Sequence, residues 1–514
     1  MAIDAGTGSC RAVLFDRQGN QVSAAQEEWS HQSLPGYPGS QVFDTRSNWE
    51  LISKCIRGAI AGASADPSDV KGVSATSMRE GMVLYDDSGK ELWACPNVDS
   101  RATKEAATLI RSGAARKIFR EGGDWVSIIA PPRFLWIRKH QPEVFRKIGR
   151  MGMLSDWIIY RLSGRFVTDP SVGSSSGMFD LRKRDWSRRT ADLCGLRPEI
   201  LPEVKEPGSA VGEVTKRAAA QTGLRAGTPV VLGGADTQLG LVGMGASERD
   251  EVAVEGGSFW QTTIALDRPI IDQKMRLRSL CHAFPGKWMM EGIGFYSGLT
   301  LRWFRDGFCQ SEKNEATRRG VDPYVLMEEL SGSVPPGSNG VIGIFGNVMN
   351  SKRWVHASPS LMQFRIGDPA NSGKKEAIRA IQESAAYVVQ GHIRIIESIT
   401  GKKVGAIMFA GGGSKGKVWP QIVADVLGVE VKIPVIKEST SHGCAICAGT
   451  GIGWYSDLRL GSQALSRTEQ TLSPSPADHR AYQELYEKWA KVYARSLAMV
   501  ETGLLEPLWW PAGA

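Results

Sequence analysis

The sequence holds no uninterrupted apolar run approaching the roughly 18 residues of a membrane-spanning helix. No basic stretch leads into an apolar core near its start, where Asp4 intervenes, so a secretory leader is not expected. Cysteine is scarce, with eight in 514 residues and only Cys444 and Cys447 close together. A disulfide framework is therefore not expected, and a reducing, cytoplasmic compartment is. The seven histidines show no metal-ligand spacing, and no H-E-x-x-H helix occurs. A zincin-type zinc site is thus excluded. Charge is not one-sided: 62 basic against 54 acidic residues leave +8. The longest basic clusters, Arg182-Lys183-Arg184 and Lys402-Lys403, are too short for a nucleic-acid stripe. Neither nucleic acid nor membrane is expected as a partner, and no regulatory protein partner can be read from the chain.

What is present is an ordinary globular composition, 42% apolar and 23% charged, with length for two to four domains. An internal echo organises it. Residues 2–16 and 253–267, set 251 positions apart, share one plan. Each has a short apolar strand, an acid (Asp4, Glu255), a Gly/Thr/Ser turn, a second apolar strand and a closing Asp. An offset near half the chain predicts two similar α/β domains facing each other. In the first, strands are predicted at 12–15, 21–29, 73–78, 82–85 and 230–232. A helix is predicted to follow the capping box Ser47-Asn48-Trp49-Glu50, burying Leu51, Ile52, Cys55, Ile56, Ala59 and Ile60, and another covers 157–162 up to Gly164. In the second, helices are predicted at 375–399, 419–427 and 477–500, with strands at 406–409 and 429–433. The tail Leu508-Trp509-Trp510-Pro511 reads as a docked apolar end.

Glycine turns and carboxylates carry the chemical signal. Asp4-Ala5-Gly6-Thr7-Gly8-Ser9 joins two strands. Its glycines would let backbone N–H groups converge on an anion, or merely allow a hairpin turn. Gly233-Gly234-Ala235-Asp236 follows a buried strand, so Asp236 is either a helix N-cap or a base at the mouth of a sheet. Ser258 lies in the second glycine turn and could meet a phosphate. Gly411-Gly412-Gly413-Ser414-Lys415-Gly416-Lys417 imitates a P-loop, but Val418 stands where Ser or Thr must reach Mg²⁺, so that reading fails. A triple glycine between strand and helix still admits a flat base or a ribose. Arg79-Glu80 is either a surface ion pair or a clamp for substrate oxygens. The C-x-x-C at 444–447 has no second pair for zinc and sits among small residues, which reads as tight helix packing.

These features in this order resemble the FGGY carbohydrate kinases, over essentially the whole chain. Phe43-Asp44 with Trp49, Pro131-Pro132-Arg133-Phe134-Leu135-Trp136, Gly298-Leu299-Thr300-Leu301-Arg302-Trp303 and Arg379 to Glu383 add to the likeness. The resemblance implies the two-lobed, actin-like sugar-kinase ATPase fold, with two duplicated ribonuclease-H-like domains and a cleft between them. The implied division is an N-terminal domain, 1–246, holding substrate and the first phosphate loop, and a nucleotide-binding C-terminal domain, 247–514. It implies ATP and Mg²⁺ as cofactors and Asp236 as the base that accepts the hydroxyl proton. Asp4 matches the Mg²⁺-associated acid; Thr7, Ser9, Arg11 and Ser258 match phosphate-turn positions. Gly411, Gly412, Gly413 and Gln421 match the adenosine motif, with Asp425 on the same helix. Arg79 and Glu80, then Asp156 and Trp157, match substrate positions beside Asp236.

Within the family, Ser77–Gly81, Trp93–Cys95, Asn97-Val98-Asp99 and Ser155-Asp156-Trp157 are most similar to members whose substrate is linear 4,5-dihydroxy-2,3-pentanedione, a bacterial quorum signal. That likeness implies ATP-dependent phosphorylation of its C5 hydroxyl. A pentulose or polyol kinase and a non-catalytic ligand-binding paralogue remain the alternatives. Two departures stand out. Only Met1, Ala2 and Ile3 precede Asp4, where the family carries a longer apolar strand: either the true start lies upstream, or the first sheet has a clipped edge that would misplace Asp4 and weaken Mg·ATP binding. Arg133 replaces a usual Lys.

Overall fold

A computed structural model describes residues 1–246, 251–349 and 355–509. The apolar segments form two main sheets. In the six-stranded sheet the order is Gln21–Glu28, Ser9–Phe15, Ala2–Ala5, Val73–Ser77, Pro229–Ala235, Ala210–Glu213. The seven-stranded sheet runs Arg278–Cys281, Trp288–Gly294, Trp260–Leu266, Val252–Gly256, Ala406–Ala410, Glu430–Pro434, Thr468–Leu472. In both, an antiparallel hairpin lies beside two parallel strands. The echo at 2–16 and 253–267 is therefore a structural duplication, with the hairpin of each sheet built from one copy. The parallel strands at the centre of the first sheet are covered on both faces, and Ile3, Val73, Ala75 and Val230 are completely buried. Strand Gln21–Glu28, at the edge, alternates half-buried and exposed residues.

The first predicted helix spans Thr45–Gly62 and buries Ile52, Cys55, Ile56, Ala59 and Ile60 as its periodicity requires. Its cap differs from the expected box. Asp44, not Ser47, accepts from the backbone N–H groups of Arg46 and Ser47, at 3.0 and 3.1 Å. The Ser47 hydroxyl donates to the same carboxylate at 2.8 Å. A charged acceptor one turn earlier outcompetes the serine, so the helix starts sooner.

The two lobes interlock through a pair of helices. Asp236–Met244 follows strand Pro229–Ala235, and Ser439–Gly451 follows strand Glu430–Pro434. These helices pack on each other, and the second also crosses onto strands Ala2–Ala5, Val73–Ser77 and Pro229–Ala235 of the first sheet. Cys444 and Cys447 face this seam as free, completely buried thiols, and burial pushes the Cys444 thiol up to about 12. Packing is thus their role. Trp509 stacks on Phe295 with ring centroids 4.7 Å apart, whereas Trp510 and Pro511 lie outside the described residues. Among the described residues no helix is long and apolar enough to cross a membrane.

Candidate active site

A cleft of about 720 Å³ takes its lining from both lobes. Asp4, Arg11, Asp236, Ser258, Gly411, Gly412 and Gly413 all line it, though they are scattered over four hundred positions of chain. Strand Ala2–Ala5 is short yet central, and it sets Asp4 in register with Arg11 and Thr76. Asp4 is therefore not displaced by the short strand: its carboxylate faces the cleft 3.3 Å from Arg11 Nε. Burial raises its pKa and Arg11 opposes the rise. Thr7 and Ser9 stand in the turn between these two residues but do not line the cleft. The Thr7 hydroxyl accepts from Asn97 Nδ2 at 3.1 Å.

Asp236 is the first residue of its helix, with Ala235 in the capping position, so the N-cap reading does not hold. Its carboxylate keeps 35% of its side-chain surface open and lies 3.5 Å from Arg79 Nε. Burial at the cleft floor pushes its pKa up to about 6, with Arg79 pulling the other way. Ser258 is exposed at the tip of the second hairpin, and its carbonyl accepts from the Gly298 and Leu299 N–H groups at 3.2 Å. Gly411 has φ of +86°, and a Cβ there would stand 2.9 Å from the Gly256 backbone. Only glycine lets the second hairpin and the triple-glycine turn touch. Beneath them Trp260 and Trp419 pack with centroids 4.7 Å apart. The P-loop resemblance fails structurally as well: the Lys417 N–H, at the start of helix Val418–Leu427, donates to Glu328 at 3.0 Å.

Several expected residues are placed elsewhere. Gln421 does not line the cleft; its amide donates to Asp425 one turn on (2.8 Å) and to the Ser473 carbonyl (3.1 Å). Asp156 accepts from the Met153 N–H at 2.9 Å, capping helix Leu154–Ser163, and burial raises its pKa well above the usual carboxylate range. Trp157 is completely buried against Phe43 and Trp49, and its indole N–H donates to Glu91 at 2.6 Å. Both belong to the lobe interior, and neither lines the cleft. Arg79 and Glu80 are not a surface ion pair. They are 7% and 4% exposed and each pairs with the other lobe, Arg79 with Glu291 at 2.8 Å and Glu80 with Arg278 at 2.7 Å.

Glu255, which the echo aligns with Asp4, is a further residue of the site. It lines the cleft and accepts from Thr440 Oγ1 at 2.9 Å, and burial followed by the Asp236 charge pushes it up to about 8. Among the described residues no group of three or more His, Cys, Asp or Glu could hold a metal ion. Mg²⁺ needs no such cage, because it keeps most of its waters and takes one or two carboxylates plus phosphate oxygens. Asp4, a hard oxygen donor facing the cleft, fits that requirement.

The FGGY family of carbohydrate kinases matches with its N-terminal domain over residues 1–243 and its C-terminal domain over 262–452. The chain belongs to this family. An autoinducer-2 kinase of Klebsiella pneumoniae subsp. pneumoniae is 44% identical over 516 aligned residues, covering 100% of this chain and 97% of the relative. One from Yersinia pseudotuberculosis is 45% identical with the same coverage. The crystal structure of xylulose kinase from Rhodospirillum rubrum superposes with a TM-score of 0.83 at 25% identity, covering 96% of this chain and 98% of that one. The two-lobed actin-like ATPase fold of these FGGY kinases is the architecture described above.

Proposed function

We propose that this FGGY kinase transfers the γ-phosphoryl group of ATP to the C5 hydroxyl of linear 4,5-dihydroxy-2,3-pentanedione, the molecule known as autoinducer-2 in its signalling role. The observation that carries the reading is Asp236 on the cleft floor, with the two glycine turns lining the same cleft. Identity of 44% over the full chain with autoinducer-2 kinases supports the substrate. The N-terminal domain, 1–246, supplies Asp236, Asp4 and the first phosphate turn. The C-terminal domain, 247–514, supplies Ser258 and the Gly411–Gly413 adenosine turn. Eight free, buried cysteines support a reducing cytoplasm as the site of the reaction.

Phosphoryl transfer has a loose transition state, so positioning and charge neutralisation dominate. Asp236 orients the acceptor hydroxyl and takes its proton. Arg11 and the Ser258 hydroxyl, which line the cleft, meet phosphate oxygens, while Thr7 and Ser9 shape the first turn from outside it, and Asp4 would hold Mg²⁺, which would supply charge neutralisation on the transferring group. Arg79 and Glu80 orient the acceptor beside Asp236.

Two measurements test this. Coupled ADP release with Mg·ATP is expected with dihydroxypentanedione and not with xylulose, ribulose, glycerol or no acceptor. Signal with xylulose would move the assignment to a pentulose kinase, and silence throughout would leave a binding paralogue. Separately, kcat/KM for the acceptor is expected to rise with pH and level off above about 6. Asp236 must be ionised to take the proton, and its raised pKa places that step there. The groups facing it are Arg79, Glu80, Asp4 and Glu255. A profile flat from pH 5 to 8 would remove Asp236 as the titrating base.

A further inference from the structure

The neighbours Arg79 and Glu80 are held by two residues that are themselves neighbours across a ladder. Arg278 and Glu291 sit opposite each other on the antiparallel strands Arg278–Cys281 and Trp288–Gly294, so they present a cation and an anion side by side. Their charges complement Arg79-Glu80 in reverse order. Arg79 Nη1 donates to both Glu291 oxygens, at 2.8 and 3.0 Å, and Arg278 Nη2 donates to Glu80 at 2.7 Å. Arg278 Nη1 closes the square at 3.7 Å from Glu291. All four are buried, with Glu291 completely so.

Further groups aim the square. Arg278 Nη2, the nitrogen that donates to Glu80, also donates to Asp124, and Arg133 donates to the Glu80 carbonyl, fixing a residue whose φ is +62°. Arg133 also donates to the Asp99 carbonyl at 3.1 Å. Two guanidinium groups thus face Glu80, Glu291, Asp124 and Asp236, and Arg79 is the member shared between the square and Asp236. Its Nη1 is committed to Glu291, which leaves Nε turned toward the base.

We infer that Glu291 and Arg278, in the second lobe, are positioning residues for acceptor binding, acting through Arg79 and Glu80 in the first. The inference rests on the kinase reading above. Because each pair joins one lobe to the other, the geometry of the acceptor clamp depends on how the lobes meet. The nucleotide turns at Ser258 and Gly411–Gly413 are not part of the square, so the effect on ATP is separable. Buried charge-assisted pairs with fork geometry fix orientation strongly, and a misplacement of about 1 Å at a reacting centre can cost about 10²-fold.

The test uses Glu291→Gln and Glu291→Asp in the full chain, with steady-state kinetics for dihydroxypentanedione and ATP and with ATP-induced thermal stabilisation. Removing one partner of a buried pair can prevent folding. Glu291→Asp guards against this, because it keeps the charge and shortens its reach by one methylene. Glu291→Asp is expected to raise the acceptor KM several-fold with the ATP KM unchanged, and Glu291→Gln to raise it further and lower kcat. A purely structural role would reduce the active fraction and leave the acceptor KM of the remaining enzyme as in the wild type. That result, or parallel changes in both KM values, would overturn the inference while an active wild type preserved the kinase reading. A wild type silent with every acceptor would overturn both.

Discussion

Asp236→Asn is expected to abolish most phosphoryl transfer, lowering kcat by about 10²- to 10⁴-fold, the usual contribution of a positioned general base. The substitution is close to isosteric, and 35% of the Asp236 side chain is open to the cleft, so folding is expected to survive. What changes is chemistry. An amide takes no proton from the hydroxyl, and Arg79 Nε then faces a neutral group instead of a carboxylate. ATP affinity is expected to stay unchanged, because Gly411, Gly412, Gly413 and Ser258 lie on the other lobe's turns. Coupled ADP release and calorimetric titration of Mg·ATP measure the two quantities separately. Turnover equal to the wild type would remove Asp236 from the base role. Loss of ATP binding together with turnover would instead make Asp236 a support of the nucleotide geometry.

The architecture was legible wherever a local pattern decides it. The echo between Asp4 and Glu255 announced two hairpins of the same build, and both occupy equivalent places in their sheets. The buried parallel strands Pro229–Ala235 and Ala406–Ala410 are legible as apolar runs. The long helix expected at 375–399 spans Lys374–Thr400, and Gly401 ends it in the left-handed conformation. The partners of charged side chains were not legible, because Arg79 and Glu291 are 212 positions apart and meet only when the two lobes close on each other. An adjacent Arg-Glu pair looks like a surface couple until its burial is known. Trp157 shows the opposite error: family likeness points to substrate, whereas the side chain is completely buried inside the lobe, on helix Leu154–Ser163. Glu255 could have been found, since the echo that placed Asp4 in a phosphate loop gave Glu255 the same standing.

Gly443→Ala tests whether close contact between the lobes' helices sets the site. A Cβ at 443 would lie 1.9 Å from the Leu239 carbonyl oxygen and 3.0 Å from Gly243 N. Both obstacles are backbone, so no rotamer change relieves them. The mirror-image clash, a Cβ at 243 against the Ser439 carbonyl at 2.0 Å, shows that the approach is close in both directions. Alanine improves helix propensity by about 1 kcal/mol over glycine. Forced separation of a packed pair costs about 3 kcal/mol at the upper end of the range for overpacking. The clash dominates, and a net loss of roughly 2 kcal/mol corresponds to a fall in Tm of about 4–8 °C. Activity is expected to fall more than stability. Helix Asp236–Met244 begins with the base, and the Thr440 hydroxyl on the partner helix stands between two acceptors, Glu255 (2.9 Å) and the Asp236 carbonyl (3.3 Å). Moving these helices apart by about 1 Å would withdraw Asp236 from the acceptor and cost about 10²-fold in kcat. Gly405→Ala, where an added Cβ meets nothing within 4 Å, is the control and is expected to be neutral in both measurements. A Gly443→Ala protein with wild-type Tm and kcat would mean that the helices separate freely, and that the base is aimed from its own lobe alone.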